Sequence, residues 1–118
     1  MKAIDLIEKY YPEDNELRRL LLHHSRQVAD RALLVAARHP ELQLNLHFLE
    51  EAAMIHDIGI FLTQAPGIHC HGEHPYLLHG WLGAQLMREE GREDLARVCE
   101  RHTGTGLTPE TIAAQGLP

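Results

Sequence analysis

The chain has 118 residues, enough for one domain around a single modest core and too few for two. A net charge of -6, with Lys2 and Lys9 as the only lysines, excludes nucleic-acid binding through a general basic surface, which needs Lys and Arg against phosphates. No stretch approaches the ~20 apolar residues of a membrane span, the N-terminus lacks the apolar run of a signal peptide, and Cys70 and Cys99 cannot build a disulfide framework, so reduced thiols in the cytoplasm are expected.

Ala3 to Tyr10 is an amphipathic helix candidate carrying Ile4, Leu6 and Ile7, ended by Tyr11-Pro12. Asp14 or Asn15 can cap a long second helix to about Arg38. Its stripe of Leu17, Leu20, Leu21, His24, Val28, Ala32 and Val35 recurs with a period near 3.6. Asn45 can cap a third helix from Leu46 to about Asp57, with Gly59 as terminator. A loop is expected from Thr63 to His74, then a fourth helix with Pro75 in its first turn and an end near Gly91. A fifth runs from about Glu93 to His102, and Thr108-Pro109 starts a last short one to Ala114. No alternating run is long enough for a strand, and at 5% aromatic content the core must be Leu, Ala, Ile and Val, so an all-α fold is expected.

Ten histidines is the outlying count, and metal ligation is the commonest physical reason for it. Four of them, His24, His56, His79 and His102, fall on the apolar stripes of four different helices. A polar ring facing a core costs free energy unless its nitrogens find partners. One such residue would be a core histidine bonded to a backbone carbonyl. Four, with Asp57 beside His56, are satisfied together by a shared cation. His23 falls to one side of the stripe, and His39 and His47 read as surface residues. His69, Cys70, His71 and His74 read as exposed loop residues or a lid, with a small zinc site the weaker alternative.

His24, His56-Asp57-Ile58-Gly59, His79-Gly80 and His102-Thr103, in this order and helical context, resemble the His-Asp (HD) superfamily of metal-dependent phosphohydrolases, in the subgroup spelled His-Asp-Ile-Gly. Leu22 to Ala29 and Pro75 to Gly80 are similar to that family too. The resemblance implies a helical bundle with a central metal site. It implies a first metal held by His24, His56, Asp57 and one later aspartate, and a second held by His79 and His102 with Asp57 bridging. The sequence departs from the pattern in that no aspartate follows Asp94. Residues 1–118 are accordingly expected to form a single HD-type domain lacking its C-terminal helix or helices.

The implied chemistry is hydrolysis of a phosphoester or phosphoanhydride of a nucleotide or other small phosphorylated molecule by a metal-activated water, with Asp57 and His56 at the reacting centre. Sites rich in imidazole accept Fe, Mn, Co, Ni or Zn, so one or two divalent transition metals are expected. Arg26, Arg101 and the Thr103 turn are candidates for substrate phosphate. Ser25 is the only serine and lies beside a proposed ligand, which argues against a Ser-His-Asp nucleophile. Two alternatives stay open: a di-iron HD-type oxygenase, and a non-catalytic metal-binding sensor or interaction domain. The partner expected is a small-molecule substrate, with no nucleic acid and no membrane.

Overall fold

Short polar side chains set where the helices begin. In the computed structural model, which describes residues 2–101, the Asn15 side chain accepts the Arg18 N–H at 2.9 Å and so caps the longest helix. Asn45 does the same for Phe48 at 3.1 Å. Five helices result: α1 Ala3–Tyr10, α2 Glu16–Arg38, α3 Leu46–Ile55, α4 His79–Glu89 and α5 Glu93–Arg101. The fold is all-α, as expected. The short helix expected after Thr108 lies outside the described residues. Among those described, no helix is long and apolar enough to cross a membrane.

The chain divides into two compact units, Met1–Ile55 and His56–Pro118. In the first, α3 packs against α1 and α2. Helix α1 buries Ala3, Leu6 and Ile7, while Ile4, expected among its apolar members, is exposed. Helix α2 differs from its expected stripe by about one residue. Leu21, Ser25, Ala29 and Ala36 are buried, and Leu20, His24 and Val35 are exposed. The reason is size: α3 buries Ala52, Ala53 and Ile55, and small residues on both helices permit close backbone approach. A hydrophobicity pattern that favours Leu and Val does not register such a seam. Arg26 on α2 ties the same pair together, donating to Glu50 of α3 at 3.0 Å and to Asp30 at 2.9 Å.

In the second unit the chain turns out of α3 through His56-Asp57 into a 3₁₀ turn, Ile58–Leu62, whose Ile58, Gly59 and Ile60 are buried. Thr63, fully buried, closes it by donating from Oγ1 to the Ile60 carbonyl at 2.7 Å. The loop expected next contains a two-residue antiparallel ladder, β1 Gln64–Ala65 with β2 Cys70–His71, too short to leave a period-2 signature. His69 makes the reversal in the left-handed region at φ 63. A further 3₁₀ turn, Tyr76–Leu78, leads directly into α4. At the far end of α4, Gly91 at φ 75 lets Arg92 N–H reach the Met87 carbonyl at 2.8 Å, reversing the chain into α5. Helices α4 and α5 pack together, and Arg88 bridges them to Glu93 and Glu100 at 2.8 and 2.6 Å.

Both cysteines are buried and unoxidised. Burial pushes the Cys99 thiol up to about 12, and the nearby Asp57 and Glu100 carboxylates add to the effect. A thiol in that state is a poor nucleophile at neutral pH. Ser25 is the other notable buried polar group: its hydroxyl has no hydrogen-bond partner among the described residues. Such an atom costs about 1–3 kcal/mol, and alanine also has the better helix propensity. Ser25→Ala is therefore expected to raise stability by about 1 kcal/mol, read from chemical denaturation midpoints; a variant less stable than the parent would contradict this.

Candidate metal centre

His56 and Asp57 stand at the junction where α3 has ended at Ile55 and the 3₁₀ turn begins at Ile58. Leaving the α-helix there frees two neighbouring side chains from the 100° separation that a helix imposes. The His56 and Asp57 side chains come together, with Nε2 3.2 Å from Oδ2. The other carboxylate oxygen, Oδ1, lies 3.4 Å from His79 Nε2 in the first turn of α4. One carboxylate thus presents each of its oxygens to a different imidazole. All three side chains are nearly buried, at 11–13% exposed.

Two glycines allow this arrangement. A Cβ on Gly59 would lie 2.5 Å from the Gly83 nitrogen and 2.9 Å from the Gly83 Cα, and inside contact distance of the His79 carbonyl oxygen. All three are backbone atoms of α4 and cannot swing aside. Gly83 in turn faces α5, where an added Cβ would stand 3.4 Å from Cys99 Sγ. Gly59 was expected as the terminator of α3, but the helix stops four residues earlier. Its bareness admits the backbone of α4.

The tautomer of His79 can be read from its partner. Nδ1 lies 2.8 Å from the Tyr76 carbonyl oxygen, which only accepts, so Nδ1 carries the proton and donates. Nε2 then faces a carboxylate oxygen, and two lone pairs at 3.4 Å repel unless a positive charge lies between them. Burial works against that charge on the ring. The Asp57 and Tyr76 hydrogen bonds, together with the Asp57 charge, outweigh it and raise the His79 pKa. Either an extra proton or a cation satisfies the pair. Imidazole, carboxylate and imidazole, with the far ring nitrogen anchored on a carbonyl, is a donor set suited to a divalent transition metal. Each imidazole nitrogen approaches its own carboxylate oxygen, at 3.2 Å for His56 and 3.4 Å for His79, so Asp57 stands between the two rings.

The remaining expected site residues are placed as follows. His24 lies in the middle of α2, in the first unit, exposed and one position off the buried row. Arg26 is engaged by Asp30 and Glu50, which compete with any phosphate for its guanidinium. Arg101 is the last residue of α5 and is exposed. His102 and Thr103 lie outside the described residues. His69, His71 and His74 are exposed while the Cys70 thiol is fully buried, and no metal-binding group forms there among the described residues. His39 and His47 are exposed, as expected, and His23 is exposed too. Tyr76 and Gly83 escaped the sequence reading. Their signals were an aromatic residue three positions before His79 and a glycine inside a helix.

The HD domain family model matches residues 21–117, most of the chain. The chain belongs to the HD domain family. An uncharacterized protein of Methanocaldococcus jannaschii is 29% identical over 120 residues, covering 99% of this chain and 61% of the relative. The chain therefore spans less than two thirds of that relative's length. No solved structure matches it. Within this HD domain, the second unit sets His56 and His79 on either oxygen of the Asp57 carboxylate.

The glycine contact gives a direct test of the geometry. Gly59→Ala forces backbone against backbone and is expected to lower stability by about 3 kcal/mol, with loss of bound metal in whatever fraction still folds. Denaturation curves and metal content of the folded protein check it. A variant within about 0.5 kcal/mol of the parent would show that the close approach does not exist.

Proposed function

We propose that this HD domain is a metal-dependent phosphohydrolase, of the His-Asp-Ile-Gly subgroup, acting on a phosphoester or phosphoanhydride of a nucleotide or similar small molecule. The observation that carries the reading is the Asp57 carboxylate set between His56 Nε2 and His79 Nε2, inside a chain that belongs to the HD domain family. We assign His24, His56, Asp57, His79 and His102 as metal ligands, from the match of their order to the family motif.

A bound divalent ion supplies Lewis acidity toward a phosphoryl oxygen and lowers the pKa of a coordinated water toward ~7. The protein's own part is positional. Asp57 offers two oxygens on one rigid group, which fixes the spacing of whatever it bridges. His56 and His79 are neutral donors when deprotonated, so the site gains little negative charge and stays attractive to a phosphate anion. Near burial of the three side chains lowers the local dielectric and strengthens that attraction. Arg101, exposed at the end of α5, and Thr103 two residues on are the proposed contacts for phosphate oxygens. Arg26 can serve only by giving up Asp30 or Glu50.

The test is a panel of phosphomonoesters, phosphodiesters and nucleotides assayed with Mn, Co, Ni, Zn and Fe(II), the parent against Asp57→Asn and His56→Ala. The expected result is metal-dependent release of phosphate or nucleotide product by the parent. It should fall in both variants by more than about 100-fold, the most that removing a mere supporting group usually costs. Equal turnover in the variants, or none by the parent with any metal, would refute the assignment.

A further inference from the structure

We propose that Tyr76 is the positioning residue for His79: its carbonyl and its ring together fix the imidazole so that Nε2 points at Asp57 before any ion arrives. The proposal rests on the reading of His79 as a ligand and adds what orients it. An imidazole turns about two side-chain bonds and can present either nitrogen, so a useful ligand needs one restraint on its tautomer and another on its plane. Tyr76 supplies both. Its carbonyl accepts the Nδ1 proton at 2.8 Å and also accepts the backbone N–H of His79, so both lone pairs hold one residue. Its ring lies flat against the imidazole, with centroids 4.4 Å apart and planes inclined by 23°.

Local geometry explains why these two residues meet. Pro75, at φ -59, opens the 3₁₀ turn Tyr76–Leu78, and the Leu78 N–H closes on the Pro75 carbonyl at 3.0 Å. With three residues per turn, side chains at i and i+3 eclipse one another. Tyr76 and His79 are such a pair. An α-helical start at Pro75 would offset them by about 60° around the axis and lose the face-to-face contact. The 3₁₀ entry to α4 is thus the feature that stacks the ring on the ligand. Core packing does not account for Tyr76, because it is 41% exposed, as is its neighbour Leu77 at 42%. A ring kept half in water and pressed on one imidazole has orientation as its effect.

The experiment uses the full chain in four forms: parent, Tyr76→Phe, Tyr76→Leu and His79→Ala. The ¹⁵N-histidine spectrum of the Zn(II)-loaded protein reports which His79 nitrogen carries the proton, with His79 assigned by its loss in His79→Ala. Equilibrium titration with Mn(II) or Co(II) reports affinity. The expected pattern is an Nδ1 proton on loaded His79 in the parent and in Tyr76→Phe, with ion affinity in Tyr76→Phe within about twofold. Tyr76→Leu, which keeps the carbonyl and the bulk but not a flat face, should keep that proton and bind the ion about 10-fold or more weakly, as for other groups that support a ligand. Its melting temperature should stay near the parent's. Should Tyr76→Leu not fold, Tyr76→Ala, which also keeps the carbonyl, is read by the same criteria. A leucine or alanine variant with parental ion affinity overturns the proposal. A His79→Ala protein that binds the ion as the parent does overturns the ligand reading beneath it, whatever Tyr76 does to the spectrum.

Discussion

Backbone laid directly on backbone is the constraint from which the site follows. The turn after His56-Asp57 rests on the first turns of α4 because neither Gly59 nor Gly83 carries a side chain. That contact places Asp57, two residues before Gly59, within 3.4 Å of His79, four residues before Gly83. Any side chain between the two segments would hold the carboxylate away from the imidazole. The same economy of volume continues outward, since Gly83 also receives Cys99 of α5. The second unit is therefore organised around two missing methyl groups, and the polar cluster occupies the position they create.

Its chemical character comes from what surrounds the carboxylate. The Tyr76 carbonyl fixes which nitrogen of His79 faces Asp57, and near burial makes any uncompensated charge there expensive. A cation meets both demands at once. Both thiols are buried: burial raises the Cys99 pKa, and Cys70 sits in its short hairpin. Imidazole and carboxylate without thiolate suit the harder, hydrolytic end of transition-metal chemistry. Membership of the HD domain family is consistent with that choice, and the sequence match to an uncharacterized archaeal protein adds no substrate.

Much of this was legible in the sequence, for local reasons. The helix starts at Glu16 and Leu46 could be read because their caps, Asn15 and Asn45, act through neighbours three residues away. His56 and Asp57 could be read because adjacency in the chain is adjacency in space. The buried row of α2 was misjudged because packing there runs along Ser25, Ala29 and Ala36, where small size matters more than hydrophobicity. The role of Gly59 was misread because a helix terminator and a close-contact glycine are spelled alike, and only the position of α4 tells them apart. Pro75 signals a helical start but not whether that start is 3₁₀ or α, so the stacking of Tyr76 on His79 went unseen. His79 itself satisfies two readings that looked exclusive. One nitrogen makes the ordinary bond to a backbone carbonyl, and the other is presented to the site.

The central claim is that Asp57 and the imidazoles facing it hold a divalent ion, and the coordination shell of that ion is the most direct thing to measure. X-ray absorption on protein loaded with one equivalent of Zn or Mn should show nitrogen and oxygen neighbours at roughly 2.0–2.2 Å. The multiple scattering should be that of at least two imidazoles, one of which disappears in His79→Ala. A shell of water oxygens alone, or one unchanged by that substitution, would mean that the cluster is an ordinary buried ion pair and that the metal-based account is wrong.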